Sequence, residues 1–432
     1  MNREEYICSK YNLVYNIGEN QNIIFNTLTQ GMMLFEDIYV QKMLNPSTLC
    51  DHEFNLMKKY GFIVKENYED MLLKANYQRE RFNYKVIGIT IELTNSCNFL
   101  CKYCYQPHEK RYLSRSGADE ILKWIENKLK EGVKIVKIHW FGGEPLLNIE
   151  IAFYMQKQIE KLLDIYSFKY FSAITTNGYL IDECYEKWLK DMNINRYEIT
   201  LDGIELMHDY SRPLLSGNGT FKKILENIHL LINSKEEVSI RYNVNKLNTD
   251  IRSFISLLKG EELLDKTYLY FQQTTKFQNS SEIDNYYFSS LEEYALALSN
   301  IYNVLYENKL PIPRYSSYGV NCKFDCINHF LINTDLELVR CSSTESNESS
   351  MIGKIVNGLI DENINVTNEK IAYDPFIKEK CINCKVLPFC KGGCYLLQKT
   401  GRNECIPEKY ILEDYVKLLY REAIRDVSSN ER

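Results

Sequence analysis

The sequence predicts an α/β protein built around a partial, TIM-like barrel of the (β/α)6 kind. From Val86 to about Tyr306, strand patterns alternate with helical patterns, so that six strand–helix units follow one another. Such a series implies a parallel sheet with right-handed crossovers. Residues that are unusual for regular structure come directly after several strands, at the edge where barrels of this kind gather their active sites.

Short β-branched runs indicate the strands, and longer amphipathic patterns indicate the helices. The predicted strands are Val86–Leu93, Lys134–Trp140, Lys169–Thr176, Arg196–Leu201, Glu237–Val244 and Thr267–Gln272. The predicted helices are Gly117–Lys130, Ile149–Ile165, Asp182–Met192, Thr220–Asn233, Thr249–Leu258 and Leu291–Tyr306. We expect Ser116 to cap the N-terminus of the first of these helices.

A small separate module is predicted ahead of the barrel, in residues 1–82. The turn Gly18-Glu19-Asn20 lies between two strand patterns, and Gly61 stands where a helix C-cap residue belongs. The predicted elements are the strands Tyr11–Ile17, Asn22–Thr29 and Phe62–Lys65 and the helices Asp37–Leu44, Leu49–Tyr60 and Tyr68–Phe82. The module either binds an extended peptide at an exposed sheet edge or serves as a generic cap on the barrel.

Composition excludes several classes of protein. The net charge is −6, the pI is about 5.7 and there is no long basic tract, which argues against a nucleic-acid partner. No apolar run is long enough for a membrane helix, and the start MNREEYICSK lacks a signal-peptide pattern. We therefore expect a cytoplasmic protein. Its 14 cysteines point to metal or redox chemistry rather than to a disulfide framework.

Three cysteines follow the first barrel strand at C-x3-C-x2-C spacing: Cys97, Cys101 and Cys104. Such a set can bind three irons of a cubane [4Fe–4S] cluster and leaves the fourth iron without a protein ligand. A zinc site is an alternative, because zinc also takes cysteine ligands. Three buried free thiols are the other alternative.

Eight further cysteines lie between residues 311 and 407. They are Cys322, Cys326, Cys341, Cys381, Cys384, Cys390, Cys394 and Cys405. Eight thiolates are the number that two fully ligated cubanes require, while a pair of zinc ribbons is the alternative. The remaining three, Cys8, Cys50 and Cys184, match no site and are expected to be small buried side chains.

Polar and glycine-rich segments follow the next three strands. They are Gly142-Gly143-Glu144-Pro145, Thr176-Asn177-Gly178 and Thr200-Leu201-Asp202-Gly203. The two glycines allow a ligand to approach the backbone closely, and Glu144 places a negative group where a protonated amine could sit. Each segment taken alone is also a common turn sequence. In the loop after the fourth strand, His208, Asp209 and Arg212 are predicted either to contact a ligand or to be solvated.

The pattern C-x3-C-x-aromatic-C, with Tyr103 as the aromatic residue, resembles the radical S-adenosylmethionine (SAM) superfamily. The resemblance implies that Cys97, Cys101 and Cys104 hold a [4Fe–4S] cluster and that SAM chelates the open iron. An electron from the reduced cluster would then release a 5′-deoxyadenosyl radical that takes a hydrogen atom from the substrate. The SAM-binding residues implied are Tyr103, Gly142, Gly143, Glu144, Asn177, Thr200 and Asp202.

The C-terminal cysteines resemble the SPASM domain, the extension of radical SAM enzymes that act on peptides and proteins. By this resemblance Cys322, Cys326, Cys341 and Cys394 hold one auxiliary cluster near the barrel. Cys381, Cys384, Cys390 and Cys405 hold an outer one, so that three [4Fe–4S] clusters are implied in all. The presence of both Cys322 and Cys326 favours full ligation and electron transfer. The family usually has glycine where Leu336 follows Asp335, which leaves that turn geometry open.

The hairpin and helices of residues 1–82 resemble a winged-helix element that recognises leader peptides. The domains implied are this module with its linker (1–82), a radical SAM core (83–310), a SPASM domain (311–409) and a C-terminal helix and tail (410–432). The resemblance implies an enzyme that matures a ribosomally made precursor peptide, with the leader bound by the module and a flavodoxin or ferredoxin as external reductant.

The outcome favoured is a thioether that links cysteine sulfur to carbon. The alternatives are a carbon–carbon or carbon–oxygen crosslink, a formylglycine-forming anaerobic sulfatase maturase, and a noncatalytic iron–sulfur electron-transfer protein.

Overall fold

The computed structural model describes residues 3–106, 108–276, 286–320, 322–343, 350–399 and 405–430. The chain forms two compact units. The first comprises Met1–Phe82, Ser290–Cys326 and Tyr373–Arg432, and the second comprises Asn83–Ser289 and Ile327–Ala372. The division into four domains stays a prediction. Within the described ranges, no helix has both the length and the apolar character that crossing a membrane requires.

The strands and helices are numbered in chain order. The strands are β1 Tyr6–Cys8, β2 Asn12–Gly18, β3 Gln21–Asn26, β4 Met32–Glu36, β5 Ile63–Lys65, β6 Val86–Glu92, β7 Ile135–Phe141, β8 Lys169–Thr176, β9 Arg196–Thr200, β10 Val238–Val244, β11 Thr267–Gln273, β12 His329–Ile332, β13 Glu337–Val339, β14 Gly353–Val356 and β15 Leu359–Glu362. The helices are α1 Asp37–Leu44, α2 Asp51–Tyr60, α3 Tyr68–Arg81, α4 Arg115–Lys130, α5 Ile149–Ile165, α6 Ile181–Tyr185, α7 Glu205–Ser211, α8 Phe221–Asn233, α9 Arg252–Gly260, α10 Leu291–Glu307, α11 Ile364–Ala372, α12 Glu379–Ile382, α13 Leu387–Cys390, α14 Tyr395–Lys399 and α15 Leu412–Asn430.

A large sheet organises the second unit. Its order is β11-β10-β9-β8-β7-β6-β12-β13-β14-β15, and every pairing from β11 to β12 is parallel. The six predicted barrel strands are therefore consecutive neighbours, and the α/β class is confirmed. One face of these strands is apolar and fully buried, as at Trp140, Ile199 and Tyr242. Tyr242 packs on Phe254 of α9 with ring centroids 4.9 Å apart.

Helices α4 and α6 begin or end at other residues than the sequence predicted. Helix α4 begins at Arg115 and is capped by Ser114, whose hydroxyl accepts a hydrogen bond from the Gly117 N–H at 3.0 Å. The prediction of Ser116 as the cap is therefore wrong, because Ser114 is the residue that reaches the third N–H of the helix. Helix α6 ends at Tyr185, and the chain continues irregularly to Trp188, whose ring packs against Phe153 at 5.3 Å.

The N-terminal module of the first unit has more strands than the sequence predicted. The hairpin β2–β3 was expected, but β4 extends it to a three-stranded antiparallel sheet and β1 pairs with β5. Gly61 has φ of +78° after α2, which confirms the predicted left-handed C-cap. A core of buried side chains joins the sheet to the helices and includes Tyr6, Ile24, Phe35, Met43, Leu49, Phe54, Met57, Phe62 and Ile63.

Asn26 is a buried polar residue at the centre of this module. Its amide nitrogen donates to the Ser9 hydroxyl at 2.9 Å, to the Asn12 side-chain oxygen at 2.8 Å and to the Gly61 carbonyl at 2.9 Å. Its oxygen accepts from the Leu28 N–H at 3.0 Å and the Thr29 N–H at 2.9 Å. One side chain thus ties the end of β3 to the start of the chain and to the end of α2.

The C-terminal helix takes up most of the segment that the sequence analysis assigned to a helix and tail. Helix α15 runs from Leu412 to Asn430. Residues 431–432 lie outside the described ranges. Glu422 explains part of the docking of α15 within the first unit, because its carboxylate accepts from the Ile312 N–H and from Arg314, both at 2.8 Å.

Replacing Asn26 with alanine is expected to destabilise the N-terminal module by about 3 kcal/mol, since several buried polar groups lose their partners at about 1–3 kcal/mol each. Urea unfolding and hydrogen exchange of residues 12–26 measure this loss. Asn16→Ala is the matched control, because Asn16 lies in the same hairpin but is exposed. Equal stability of both variants would contradict the role assigned to Asn26.

Candidate functional site

The three-cysteine loop is joined by backbone contacts to the glycine segment after β7. The Gly143 N–H donates to the Thr94 carbonyl, and the Glu144 N–H donates to the Ser96 carbonyl, both at 2.8 Å. A Cβ on Gly142 would lie 2.2 Å from the Thr94 oxygen, and one on Gly143 would lie 2.4 Å from the Ser96 oxygen. The glycines are therefore required by the approach of these two loops. Their contact with a ligand stays a prediction.

Glu144 is fully buried, and its carboxylate is used within the fold. It accepts from the Thr176 hydroxyl at 2.7 Å, the Asn177 N–H at 2.7 Å and the Leu146 N–H at 3.0 Å. Burial raises the pKa of Glu144, and these hydrogen bonds oppose the rise. The side chain thus links the end of β7 to the end of β8. Its predicted contact with a protonated amine remains a prediction.

Asn177, after β8, reaches the cysteine loop. Its amide nitrogen donates to the Asn98 side-chain oxygen at 2.7 Å and lies 3.9 Å from the Cys97 sulfur. The Phe99 N–H is 3.4 Å from the same sulfur. These N–H groups point at the sulfur and would stabilise it as a thiolate ligand.

Tyr103, the aromatic residue of the cysteine pattern, is held by a buried polar network. Its hydroxyl accepts from Arg212 at 2.7 Å and from the Asn243 amide at 3.0 Å, and it donates to the carboxylate of Asp202. Asp202 in turn accepts from the Asn243 N–H at 3.0 Å. The network connects the cysteine loop to the ends of β9 and β10, and Thr200 is buried beside it at the end of β9.

His208 and Asp209 lie in helix α7 rather than in a loop, and the prediction that this group is solvated is wrong for His208 and Arg212. His208 and Arg212 are buried, at 0% and 6% exposure. Asp209 accepts from the N–H groups of Thr220 and Phe221 at 2.7 and 2.8 Å and so caps the start of α8. His208 Nε2 lies 3.1 Å from the Thr220 hydroxyl, and Arg212 donates to the Tyr103 hydroxyl, so these two inward side chains have polar partners.

The thiols of the cysteine loop fit a cationic ligand. Burial raises the pKa of Cys97 to about 12 and that of Cys101 to about 11, and the positive charge of Arg212 partly opposes the rise at Cys101. Burial also raises the pKa of Cys104. At neutral pH these groups keep their protons unless metal binding displaces them. The donor set therefore fits the predicted cluster.

The predicted outer set of four cysteines is brought together in the first unit. Cys381, Cys384, Cys390 and Cys405 line one small cavity together with Lys380 and Lys409. The Lys409 ammonium lies 3.6 Å from the Cys405 sulfur. A lysine beside thiolate ligands offsets part of their negative charge. In the described part of the chain, no three His, Cys, Asp or Glu side chains converge closely enough to hold a single metal ion.

The predicted inner set divides between the two units. In the first unit, Phe324 stacks on Tyr395 with centroids 5.1 Å apart, which brings the Cys322–Cys326 loop beside Cys394. In the second unit, burial raises the pKa of Tyr105 of the cysteine loop to about 12, a hydrogen bond from Ser342 opposes the rise, and the nearby Cys341 adds to it.

Leu336 keeps a turn geometry that glycine would adopt more easily. Its φ is +66°, and the turn is closed by Asn333, whose side-chain oxygen accepts from the Asp335 and Glu337 N–H groups at 3.0 and 2.9 Å. These bonds offset the cost of a left-handed leucine. The turn that the sequence left open is therefore formed.

The sequence analysis missed a row of polar side chains on the face of the sheet opposite the apolar one. His139, Thr175, Glu198 and Arg241 come from β7, β8, β9 and β10. Their partly exposed positions alternate along each strand with fully buried residues. That period-two alternation is the signal that could have identified them.

The comparisons with known proteins agree with this geometry. Residues 91–252 match the family model described as the Radical SAM superfamily. A cysteine-type anaerobic sulfatase-maturating enzyme of Clostridium novyi (strain NT) is 28% identical over 328 residues, which cover 70% of this chain and 85% of that protein. The radical SAM cyclopropyl synthase TigE of Paramaledivibacter caminithermalis is 22% identical and covers 98% of this chain and 97% of its own length.

A similar fold is known among solved structures. The native anSMEcpe structure with bound AdoMet and Cp18Cys peptide superimposes with a TM-score of 0.64 at 19% identity and covers 80% of this chain and 100% of that chain. At this identity the likeness is one of fold. The similarity supports the architecture derived from strand order and register.

Gly142→Ala is expected to separate the cysteine loop from the glycine segment, because the new Cβ would meet the Thr94 carbonyl and φ at this residue is +141°. We expect loss of most of the bound iron and sulfide, measured per chain after anaerobic purification. Gly132→Ala is the matched control, since φ is +105° there but nothing lies within 4 Å. Wild-type iron content in Gly142→Ala would show that the loop contact is dispensable.

Proposed function

The chain carries a radical SAM domain and is an enzyme, and we propose that it matures a ribosomally made peptide by linking cysteine sulfur to carbon. The observation that supports this most is that three segments converge on the three-cysteine loop. Cys97, Gly142, Asn177 and Asp202 lie in segments that follow successive parallel strands and are joined by the contacts described above. The sulfatase-maturating relative acts on a protein by its name, and the solved structure of similar fold holds a bound peptide, which agrees with a peptide substrate.

Cys97, Cys101 and Cys104 would hold a [4Fe–4S] cluster, and Gly142, Gly143, Asn177 and Thr200 would line the SAM site beside it. In this family the cluster with bound SAM supplies a 5′-deoxyadenosyl radical. The Tyr103 hydroxyl bonds to Asp202, Arg212 and Asn243. These bonds fix the position of the cysteine loop relative to the ends of β9 and β10. These residues position the cofactor and exclude water from it.

Formation of a thioether bond releases one electron from the substrate, so the reaction requires an electron acceptor. One substrate C–H bond loses a hydrogen atom to the 5′-deoxyadenosyl radical, and the cysteine S–H loses a proton as sulfur bonds to that carbon. One electron must then leave the substrate, which loses two hydrogens in all. We propose that the eight C-terminal cysteines would hold two auxiliary [4Fe–4S] clusters, which would supply the electron acceptor. The cavity lined by Cys381, Cys384, Cys390 and Cys405 supports the outer of these sites.

We propose that the N-terminal module binds the leader of the precursor at strand β4. The sheet order β2-β3-β4 leaves β4 at an edge. Because antiparallel pairing alternates, Met33 and Phe35 bond to β3, whereas the backbone groups of Met32 and Leu34 point away from it. The other edge strand, β2, has Tyr15 near Glu413 of α15. An extended peptide could therefore add to β4.

Conversion of a protein cysteine or serine to formylglycine is the second candidate. The 28% identity to the Clostridium novyi sulfatase-maturating enzyme supports it. The same radical and cluster residues would serve both reactions, so the product distinguishes them.

Co-expression with a short precursor encoded beside the gene tests the proposal. A thioether predicts a mass loss of two hydrogens that requires SAM and is abolished in Cys97→Ala. Cys184→Ala is the matched control and should retain activity, because Cys184 is a buried cysteine outside every predicted site. An aldehyde formed on the Cp18Cys peptide, with no change in the precursor, would establish the second candidate instead. Failure to form 5′-deoxyadenosine would exclude both.

Leu34→Pro tests the assignment of β4 as the leader site. Proline removes an N–H that points away from β3 and so leaves the internal pairing intact. We expect leader affinity, measured by fluorescence anisotropy with the labelled leader peptide, to fall by about tenfold or more. The matched control is Val14→Pro, which removes an outward N–H from β2. Equal affinities in the two variants would place the leader elsewhere.

A further inference from the structure

The polar row on the sheet face opposite the apolar one consists of His139, Thr175, Glu198 and Arg241. These side chains form a continuous chain of contacts. His139 Nε2 lies 2.7 Å from the Thr175 hydroxyl, which donates to the Glu198 carboxylate at 3.2 Å. The Arg241 guanidinium lies 3.5 Å from the same carboxylate. The mechanism proposed above uses none of these four side chains.

The row connects to the cysteine loop through one residue. Arg241 Nε donates to the Asn243 side-chain oxygen at 2.8 Å, and Asn243 donates to the Tyr103 hydroxyl at 3.0 Å. Asn243 is two residues further along β10 than Arg241, a distance of about 7 Å along the strand. The row therefore lies one layer of side chains away from the residues that surround the predicted cofactor.

Glu198 and Arg241 remain accessible. Their side chains are 24% and 34% exposed, and their contact at 3.5 Å is longer than a good charged hydrogen bond. The Tyr270 side chain on the neighbouring strand β11 hydrogen-bonds to both Glu198 and Arg241 and uses part of their capacity, and each partner keeps further donor or acceptor sites. The guanidinium has five N–H donors and the carboxylate has about four acceptor sites.

The charge of the row limits what can bind there. Glu198 and Arg241 neutralise each other, and burial keeps the pKa of His139 low, so the imidazole is uncharged at neutral pH. An incoming carboxylate is attracted by Arg241 but repelled by the adjacent Glu198. An incoming ammonium is attracted by Glu198 but repelled by the adjacent Arg241. Such like-charge contacts are costly. A neutral group with one donor and one acceptor meets neither penalty.

We propose that Glu198 and Arg241 together bind an amide group of the peptide substrate next to the residue that is modified. The amide oxygen accepts from the Arg241 guanidinium, and the amide N–H donates to the Glu198 carboxylate. This inference rests on the proposed function, because it takes the substrate to be a peptide. The amide is either an asparagine or glutamine side chain or a backbone group, and the two sources are distinguished below.

The test uses the full chain with reconstituted clusters and saturating SAM. The probes are capped pentapeptides of sequence Gly-Ala-X-Ala-Gly with Asn, Asp, Lys or Ala at the centre, and an ester analogue of the Ala peptide that lacks the N–H after X. Dissociation constants come from saturation-transfer-difference NMR of the peptide protons with oxidised clusters, so no turnover is needed. Failure of the proposed reaction and failure of this inference therefore give different results.

In the wild-type enzyme we expect the Asn peptide to bind about tenfold more tightly than the Asp and Lys peptides. Glu198→Gln leaves Arg241 unbalanced and should shift the preference to Asp by about tenfold, whereas Arg241→Gln should shift it to Lys. These opposite shifts cannot arise from general loss of structure. Glu237→Gln is the matched control, because Glu237 pairs with Arg196 across the same strands at 3.7 Å and lies outside the row.

The source of the amide is decided by the Ala peptides. The bound amide belongs to the backbone if two results hold. The four peptides with different central residues have equal dissociation constants, and the ester analogue binds tenfold more weakly than the Ala peptide to the wild type but not to Glu198→Ala. A preference for Asn identifies the side-chain carboxamide. The proposal is overturned if no probe binds at millimolar concentration, or if neither the charge preference nor the ester penalty depends on residues 198 and 241.

Discussion

The contact between two loop backbones holds the candidate site together. Thr94 and Ser96 approach Gly142 and Gly143 so closely that no side chain could stand between them. Parallel strands β6 and β7 bring the two loops to the same edge of the sheet, and hydrogen bonds of 2.8 Å then lock them. Every other feature of the site depends on this contact, because it sets where the three thiols stand relative to the remaining strand ends.

Buried charges extend this contact across the sheet. Glu144 joins β7 to β8, and the group of Tyr103, Asp202, Arg212 and Asn243 joins the cysteine loop to β9 and β10. A charge without partners is costly in such a place, whereas a fully bonded one fixes a single arrangement. These bonds fix where the side chains of the site stand relative to one another, as catalysis by positioning requires.

The first unit unites parts of the chain that are far apart in sequence. Tyr11, Leu28 and Leu73 of the N-terminal module pack against Leu387, with Cys381 and Cys384 beside them. The Thr27 hydroxyl also donates to the Lys385 carbonyl at 2.5 Å. A module expected to be separate thus packs directly on the segment that carries the outer cysteines. Its core and that cysteine site are consequently expected to be stable or unstable together.

The sequence by itself determined the class of fold and the positions of the chemistry, since strand periodicity, glycines and cysteine spacing are local properties of the chain. It identified six of the seven parallel strands and the segments that follow them, and it missed β12. Only the tertiary structure decided what those residues contact. Glu144 and Asp209 proved to bond within the fold, Ser114 replaced Ser116 as the cap, and β4 and the Glu198–Arg241 pair were missed. The reason is physical: a hydrogen-bond partner is chosen by proximity in space, and partners on different strands are separated by tens of residues in sequence.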